Sequence, residues 1–115
     1  KFKNKISGMA MNVPVANGSC VDLTTEMFSM PSIEEVNNAF KDASENELID
    51  LIRYTEDPIV SSDAIGGGET MVFDSKATMI ASNKLLKTIS WFDNGWGFAN
   101  RILELSESYN ELESN

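Results

Sequence analysis

Lys87-Thr-Ile-Ser-Trp-Phe-Asp-Asn-Gly-Trp-Gly-Phe-Ala-Asn-Arg101 is the stretch whose reading decides the fold. Its first part alternates apolar and polar residues, the period-two signature of a strand, and a strand is predicted from Leu85 to Phe92. Asp93-Asn94-Gly95 then makes a tight polar corner. Beyond it a helix is predicted from Asp93 to Leu112, because Phe98, Ile102, Leu105, Tyr109 and Leu112 recur at helical spacing. They form one apolar stripe, which requires a sheet or a neighbouring domain to cover it. A corner between the C-terminal end of a strand and a helix N-terminus is a common place for ligands, since unpaired helix N–H groups point outward there.

Composition narrows the classes. The chain has 115 residues and 42% apolar content spread along its length, which suits one globular domain or one piece of a larger one. A net charge of −9 argues against nucleic-acid binding, which needs clustered Lys and Arg. The only basic cluster, Lys1, Lys3 and Lys5, reads as a solvated tail. One cysteine, Cys20, allows no intrachain disulfide and suits a reducing compartment. No transmembrane run or signal-peptide pattern is present, so a soluble, cytoplasmic protein without a membrane partner is expected. The first residue is Lys1 rather than Met, as expected of a piece whose upstream part is missing.

Upstream of the corner, residues 8–13 read as a strand stopped by Pro14 and turned at Asn17-Gly18. Val21, Leu23, Thr25 and Met27 alternate with polar residues as in a half-buried strand, which Met30-Pro31 ends. Ser32-Ile-Glu-Glu35 is a capping box opening a helix with Ile33, Val36, Phe40 and Ala43 on one stripe. A second Ser-x-x-Glu, Ser44 to Glu47, predicts a short helical turn through Leu51. After Asp57-Pro58, the Gly66-Gly67-Gly68 tract reads as a loop, because neither GxGxxG nor P-loop spacing is met. Thr70 to Phe73 and Ala77 to Ala81 read as two strands of a hairpin turning at Asp74-Ser75-Lys76. The fold class is therefore α+β: a mostly antiparallel mixed sheet with helices on one face and a long C-terminal helix.

No catalytic set is visible. The chain has no histidine, so neither a Ser/His/Asp nor a Cys/His arrangement can be assembled, and no metal site is expected. Cys20 lies in an apolar run without a basic neighbour in sequence and reads as a small buried hydrophobe. Taken alone, the chain is expected to be inactive, a part that positions substrate or cofactor.

Three segments together resemble phosphorylating, nicotinamide-dependent glyceraldehyde-3-phosphate dehydrogenase. Gly8-Met-Ala-Met-Asn-Val-Pro14 with Ser19-Cys-Val-Asp-Leu-Thr24 resembles the family's G-M-A-x-R-V-P…S-x-V-D-L-T segment. Tyr54-Thr-Glu-Asp-Pro-Ile-Val-Ser-Ser-Asp63 resembles its Y-T-E-D-x-x-V-S-S-D segment, and Ser90 to Arg101 its S-W-Y-D-N-E-[YW]-G-Y-[SA]-N-R segment. Order and spacing agree over nearly the whole chain. The pattern is shared by erythrose-4-phosphate dehydrogenases.

The resemblance implies the last third of such an enzyme. Residues 1–92 would be the second half of its catalytic domain, and residues 93–115 the helix that packs against the nucleotide-binding domain. The family's dinucleotide fingerprint, its nucleophilic cysteine and the partner histidine belong to a part of the enzyme not represented in this chain. The family reaction is attack of a thiolate on the aldehyde, hydride transfer to NAD or NADP, and release of the thioester by inorganic phosphate. A phosphorylated aldehyde substrate and a cytoplasmic homotetramer are implied with it.

Residue by residue, Asn94 matches the asparagine that hydrogen-bonds the nicotinamide carboxamide, a task suited to a side chain offering both donor and acceptor. Capping of the terminal helix is the other role open to Asn94, and the two are compatible. Phe98 would lie near the nicotinamide where the family usually has Tyr, with a plain core aromatic as the competing reading. Two positions depart from the pattern. Asn12 stands where the family has an arginine that grips the substrate phosphate, and Gly95 replaces a glutamate. These departures motivate the alternative of a degenerate dehydrogenase-like module kept for assembly or partner binding.

Overall fold

Helix α1 (Ile33–Glu45) begins where the capping box places it: the Ser32 Oγ accepts from the Glu35 N–H at 3.1 Å, and the Glu35 carboxylate accepts from the Ser32 N–H at 2.7 Å. In the computed structural model, which describes residues 2–113, this helix lies on a four-stranded sheet of β1 (Ser19–Glu26), β2 (Ile52–Thr55), β3 (Met71–Ser82) and β4 (Leu85–Phe92). The spatial order is β1-β4-β3-β2. The β1–β4 and β3–β4 pairs are antiparallel and β2–β3 is parallel, so the sheet is mixed and mostly antiparallel. A 3-10 turn, Ser61–Ala64, lies against β4, and α2 (Trp96–Glu113) closes the described chain.

The core is built on both sides of β3. Phe73 is fully buried and stacks on Phe40 of α1 with ring centroids 3.8 Å apart, while the Tyr54 ring lies 6.1 Å away on β2. Strand alternation sends Val72 to the opposite face, where it is 1% exposed and pairs in register with Trp91. Ala64 of the 3-10 turn is also buried. With α1 covering β2 and β3 only, Val21 and Leu23 on β1 remain about half exposed. The radius of gyration, 16.2 Å, exceeds the roughly 13 Å expected for a compact domain of this length. Residues 6–17 and 102–110 are exposed throughout, and this accounts for the excess.

Several local expectations are corrected. Residues 8–13 form no strand; among the described residues they have no ladder partner, and Met9 and Met11 are exposed. Lys1 of the basic cluster lies outside the described residues. The second Ser-x-x-Glu does not cap a helix, because Ser44 is still inside α1 and its hydroxyl donates to the Lys41 carbonyl. The chain instead leaves α1 through turns that pass Asp50 in the left-handed region (φ 64°). Strand β2, unforeseen in the sequence, follows at once.

The expected hairpin at Asp74-Ser75-Lys76 is a bulge within one continuous strand. Along β3 the register runs from Asp74 to Met79 while β4 moves only from Ile89 to Lys87. Asp74 Oδ1 accepts from the Lys76 and Ala77 N–H groups, each at 3.2 Å, and Ser75 Oγ donates to the Thr55 carbonyl at 2.6 Å. The residues that resemble a turn are thus consumed inside the sheet. The actual reversal comes at Asn83-Lys84.

Candidate functional site at the strand-to-helix corner

Strand β4 delivers the corner. Its last residue, Phe92, pairs with Ser19, so the ladder holds the chain up to Asp93. Asp93 then uses both carboxylate oxygens. Oδ1 accepts from the Gly95 N–H at 2.9 Å and the Trp96 N–H at 2.8 Å, and Oδ2 accepts from the Gly66 N–H at 3.1 Å. Hydrogen bonds from Trp96, Gly95 and Gly66, in that order of weight, hold its carboxyl below the ordinary aspartate range. The first regular helical bond of α2 follows, Ala99 N–H to the Gly95 carbonyl at 2.9 Å. Asp93, not Asn94, therefore caps the helix start, at the Gly95 and Trp96 N–H groups.

Two further contacts fix the helix. Gly97 is buried, and a Cβ on it would stand 2.8 Å from the Glu69 carbonyl oxygen, so only glycine allows this approach. One turn on, the Arg101 guanidinium donates to the Asp50 carbonyl (3.3 Å), the Thr70 hydroxyl (3.2 Å) and the Gly68 carbonyl (3.2 Å), and also pairs with Glu104. The glycine tract, loop-like in sequence, is thereby tied to α2 at Gly68 and to the corner at Gly66.

Asn94 projects from this fixed frame. It is exposed, and its side-chain amide takes no hydrogen bond within the described residues. Phe98, one turn further along α2, is 68% exposed and does not belong to the core of the described residues. Ile102, Leu105, Tyr109 and Leu112 of the same stripe are each more than half exposed.

Asn12 lies in a different feature at the same end of the sheet. With Met11 and Val13 it forms one wall of a groove of about 570 Å³ whose other wall carries Cys20, Ser61 and Trp91. Neither Asn94 nor Phe98 lines that groove. Ser19, which pairs with Phe92, does line it, so groove and corner are neighbours across the strand ends. Cys20 is exposed rather than buried, against expectation, because β1 is an uncovered edge strand. Its thiol pKa is raised, first by partial burial and then by the Asp22 and Asp74 carboxylates, with Lys87 opposing; this is the reverse of what a nucleophile needs. Among the described residues no cluster of three His, Cys, Asp or Glu could hold a metal ion, and no helix is long and apolar enough to cross a membrane.

Sequence reasoning missed Asp93 and Gly66. The signal for Asp93 was present, since Asp just ahead of an apolar-periodic run is a helix-start signature. No local signal could reveal the Gly66 partner, which lies far off in sequence.

Residues 1–94 match the family described as glyceraldehyde 3-phosphate dehydrogenase, C-terminal domain. The chain is 44% identical over 106 residues, 92% of its length, to glyceraldehyde-3-phosphate dehydrogenase 2 of Streptomyces avermitilis, covering 32% of that protein. It is 40% identical over all 115 residues to glyceraldehyde-3-phosphate dehydrogenase of Cochliobolus heterostrophus, covering 34% of it. The Phytophthora infestans enzyme of the same name is 42% identical over 106 residues, 92% of this chain and 32% of that one. The chain thus spans about one third of the length of the curated relatives it matches. With the family match running unbroken from before the Asn12 groove to Asn94 at the corner, the chain belongs to the glyceraldehyde 3-phosphate dehydrogenase family, as a C-terminal domain.

Proposed function

We propose that this chain is the C-terminal catalytic-domain segment of a phosphorylating glyceraldehyde-3-phosphate dehydrogenase, in which Asn94 holds the carboxamide of the nicotinamide cofactor. The observation carrying this reading is the exposed amide of Asn94 on a corner that Asp93 fixes through the Gly95 and Trp96 N–H groups. An amide with paired donor and acceptor can match another amide. NAD or NADP, when bound, supplies the hydride acceptor. Phe98, exposed one turn along the same helix, would lie against the ring.

The remaining assignments belong to the same reading. The exposed apolar stripe of α2 supports docking of residues 93–115 on the nucleotide-binding domain, where apolar area would leave water. Asn12, on the wall of the neighbouring groove, occupies the substrate-phosphate position without the charge that a phosphate favours. The active assembly is a cytoplasmic homotetramer, and the chain by itself, having neither histidine nor an activated thiol, turns over no substrate. In the full-length protein, Asn94→Ala should raise the cofactor KM about tenfold, the scale of one lost hydrogen bond to a ligand, with little change in the aldehyde KM. An unchanged cofactor KM would refute the assignment.

A further inference from the structure

We propose that Asp93 is a positioning residue for the cofactor: by clamping Gly66 of the glycine loop and the first turn of α2 to one carboxylate, it sets the direction in which Asn94 presents its amide. This rests on the reading of Asn94 given above and goes beyond it.

A helix cap alone does not account for the contacts. One side-chain oxygen suffices to cap, and Ser, Thr or Asn would serve as well as Asp. Here Oδ1 does the capping, toward Gly95 and Trp96, while Oδ2 reaches a residue far away in sequence, Gly66. Only a carboxylate presents acceptors on both oxygens. The lowered pKa of Asp93, to which all three N–H groups contribute, agrees with a carboxylate that stays ionised in this setting.

The far end of the clamp is itself anchored. The loop that carries Gly66 is gripped by Arg101 at Gly68 and Thr70 and touched by Gly97 at Glu69, and the Thr70 N–H donates to the Leu51 carbonyl at 2.9 Å as the chain enters β3. Asn94 lies inside the turn that Asp93 closes, one residue after Asp93 and one before Gly95, and Asp93 ties that turn to Gly66. Without the Gly66 bond the helix start remains capped, but the peptide bearing Asn94 can pivot about the end of β4. An amide that must meet another amide with donor and acceptor both aligned loses most from such a pivot.

The test uses the full-length dehydrogenase with NAD and glyceraldehyde 3-phosphate, comparing Asp93→Asn, Asn94→Ala and the double variant. Asp93→Asn keeps a capping oxygen for α2 and turns an NH2 group toward the Gly66 N–H. It should leave the melting temperature within about 2 °C of wild type. The cofactor KM should rise about tenfold, and the aldehyde KM should stay within about twofold. The double variant should be no worse than Asn94→Ala alone, because both changes disable one contact. If Asn94→Ala raises the cofactor KM and Asp93→Asn does not, the positioning role is overturned while the Asn94 assignment stands. Additive effects, or a matching loss of melting temperature and of both KM values in Asp93→Asn, would reduce Asp93 to a structural cap and also overturn it. If neither variant moves the cofactor KM, both readings fall together.

Discussion

Replacing Gly97 by alanine sets two effects of opposite sign against each other, and the structure says which wins. In a helix, Gly→Ala ordinarily stabilises by up to about 1 kcal/mol, and by less in the first turn, where Gly97 sits. Against this, the new Cβ would stand 2.8 Å from the Glu69 carbonyl oxygen and 3.6 Å from the Thr70 Cα. Those atoms are main chain, and the adjoining Thr70 N–H is bonded to Leu51, so they cannot yield as the tip of a flexible side chain would. Either α2 or the 66–70 loop must shift, stretching the Asp93–Gly66 and Arg101–Gly68 bonds. Overpacking of this kind costs about 1–3 kcal/mol, so the net effect is a loss of about 1 kcal/mol or more. Urea unfolding of the full-length protein should show it. Amide hydrogen exchange should localise it to Gly66, Trp96 and Ala99, whose exchange should quicken roughly fivefold per kcal/mol lost. A neutral or stabilised Gly97→Ala variant with unchanged exchange at those amides would refute the close approach and with it the fixed corner.

Other perturbations test other parts. Phe73→Ala removes the fully buried ring that stacks on Phe40, and should cost about 3–5 kcal/mol in chemical denaturation, enough to unfold a marginal domain. Glu35 and Asp93 are both held below the ordinary carboxylate range by hydrogen bonds. Their contributions are therefore fully present above about pH 4.5 and are lost as pH falls through their lowered folded values, so exchange protection at both helix starts should be flat from neutral pH and then collapse. Glu35→Gln should abolish that pH dependence at α1 alone. Asn12→Arg should tighten inorganic phosphate and aldehyde binding in the full-length enzyme by roughly tenfold, the scale of a charge-assisted hydrogen bond, and an unchanged KM would dissociate the groove from phosphate recognition. Cys20 should alkylate more slowly than a free cysteine at pH 8, its thiol being shifted upward, as peptide mapping would show.

What could be read from the sequence was local. The capping box at Ser32, the strand Leu85–Phe92 and the α+β class with its C-terminal helix follow from side-chain period and cap chemistry, while β1 ends at Glu26, short of Met30, and α2 starts at Trp96, past Asp93. Failures came where a distant partner decides. Strand β2 carries Arg53 beside Tyr54 and follows a helix-like run, and only its parallel pairing with β3 makes it a strand. Asp74-Ser75-Lys76 has hairpin chemistry, but its hydrogen bonds to Thr55 and within β3 turn it into a bulge. Residues 8–13 have strand composition, but no strand among the described residues pairs with them. At the site, Asn94 was found through resemblance to a family motif, whereas the link from Asp93 to Gly66 is tertiary and has no trace in local pattern.

The strand order has a consequence for how the chain assembles. Among the described residues β1 pairs only with β4, so its ladder from Ser19–Phe92 to Glu26–Leu85 joins two strands far apart in sequence. The β3–β4 hairpin, closed by a short turn, can form early, while β1 must wait for a long loop to close. Of these four strands, β1 is therefore made first and finds its partner last, a strand carrying Val21 and Leu23. Asp22 and Glu26, placed among these apolar residues, act as gatekeepers against pairing with a neighbouring copy over that interval. Asp22 later takes Lys87 of β4 as its ion partner at 2.7 Å, so the charge that guards the waiting strand also favours its final register.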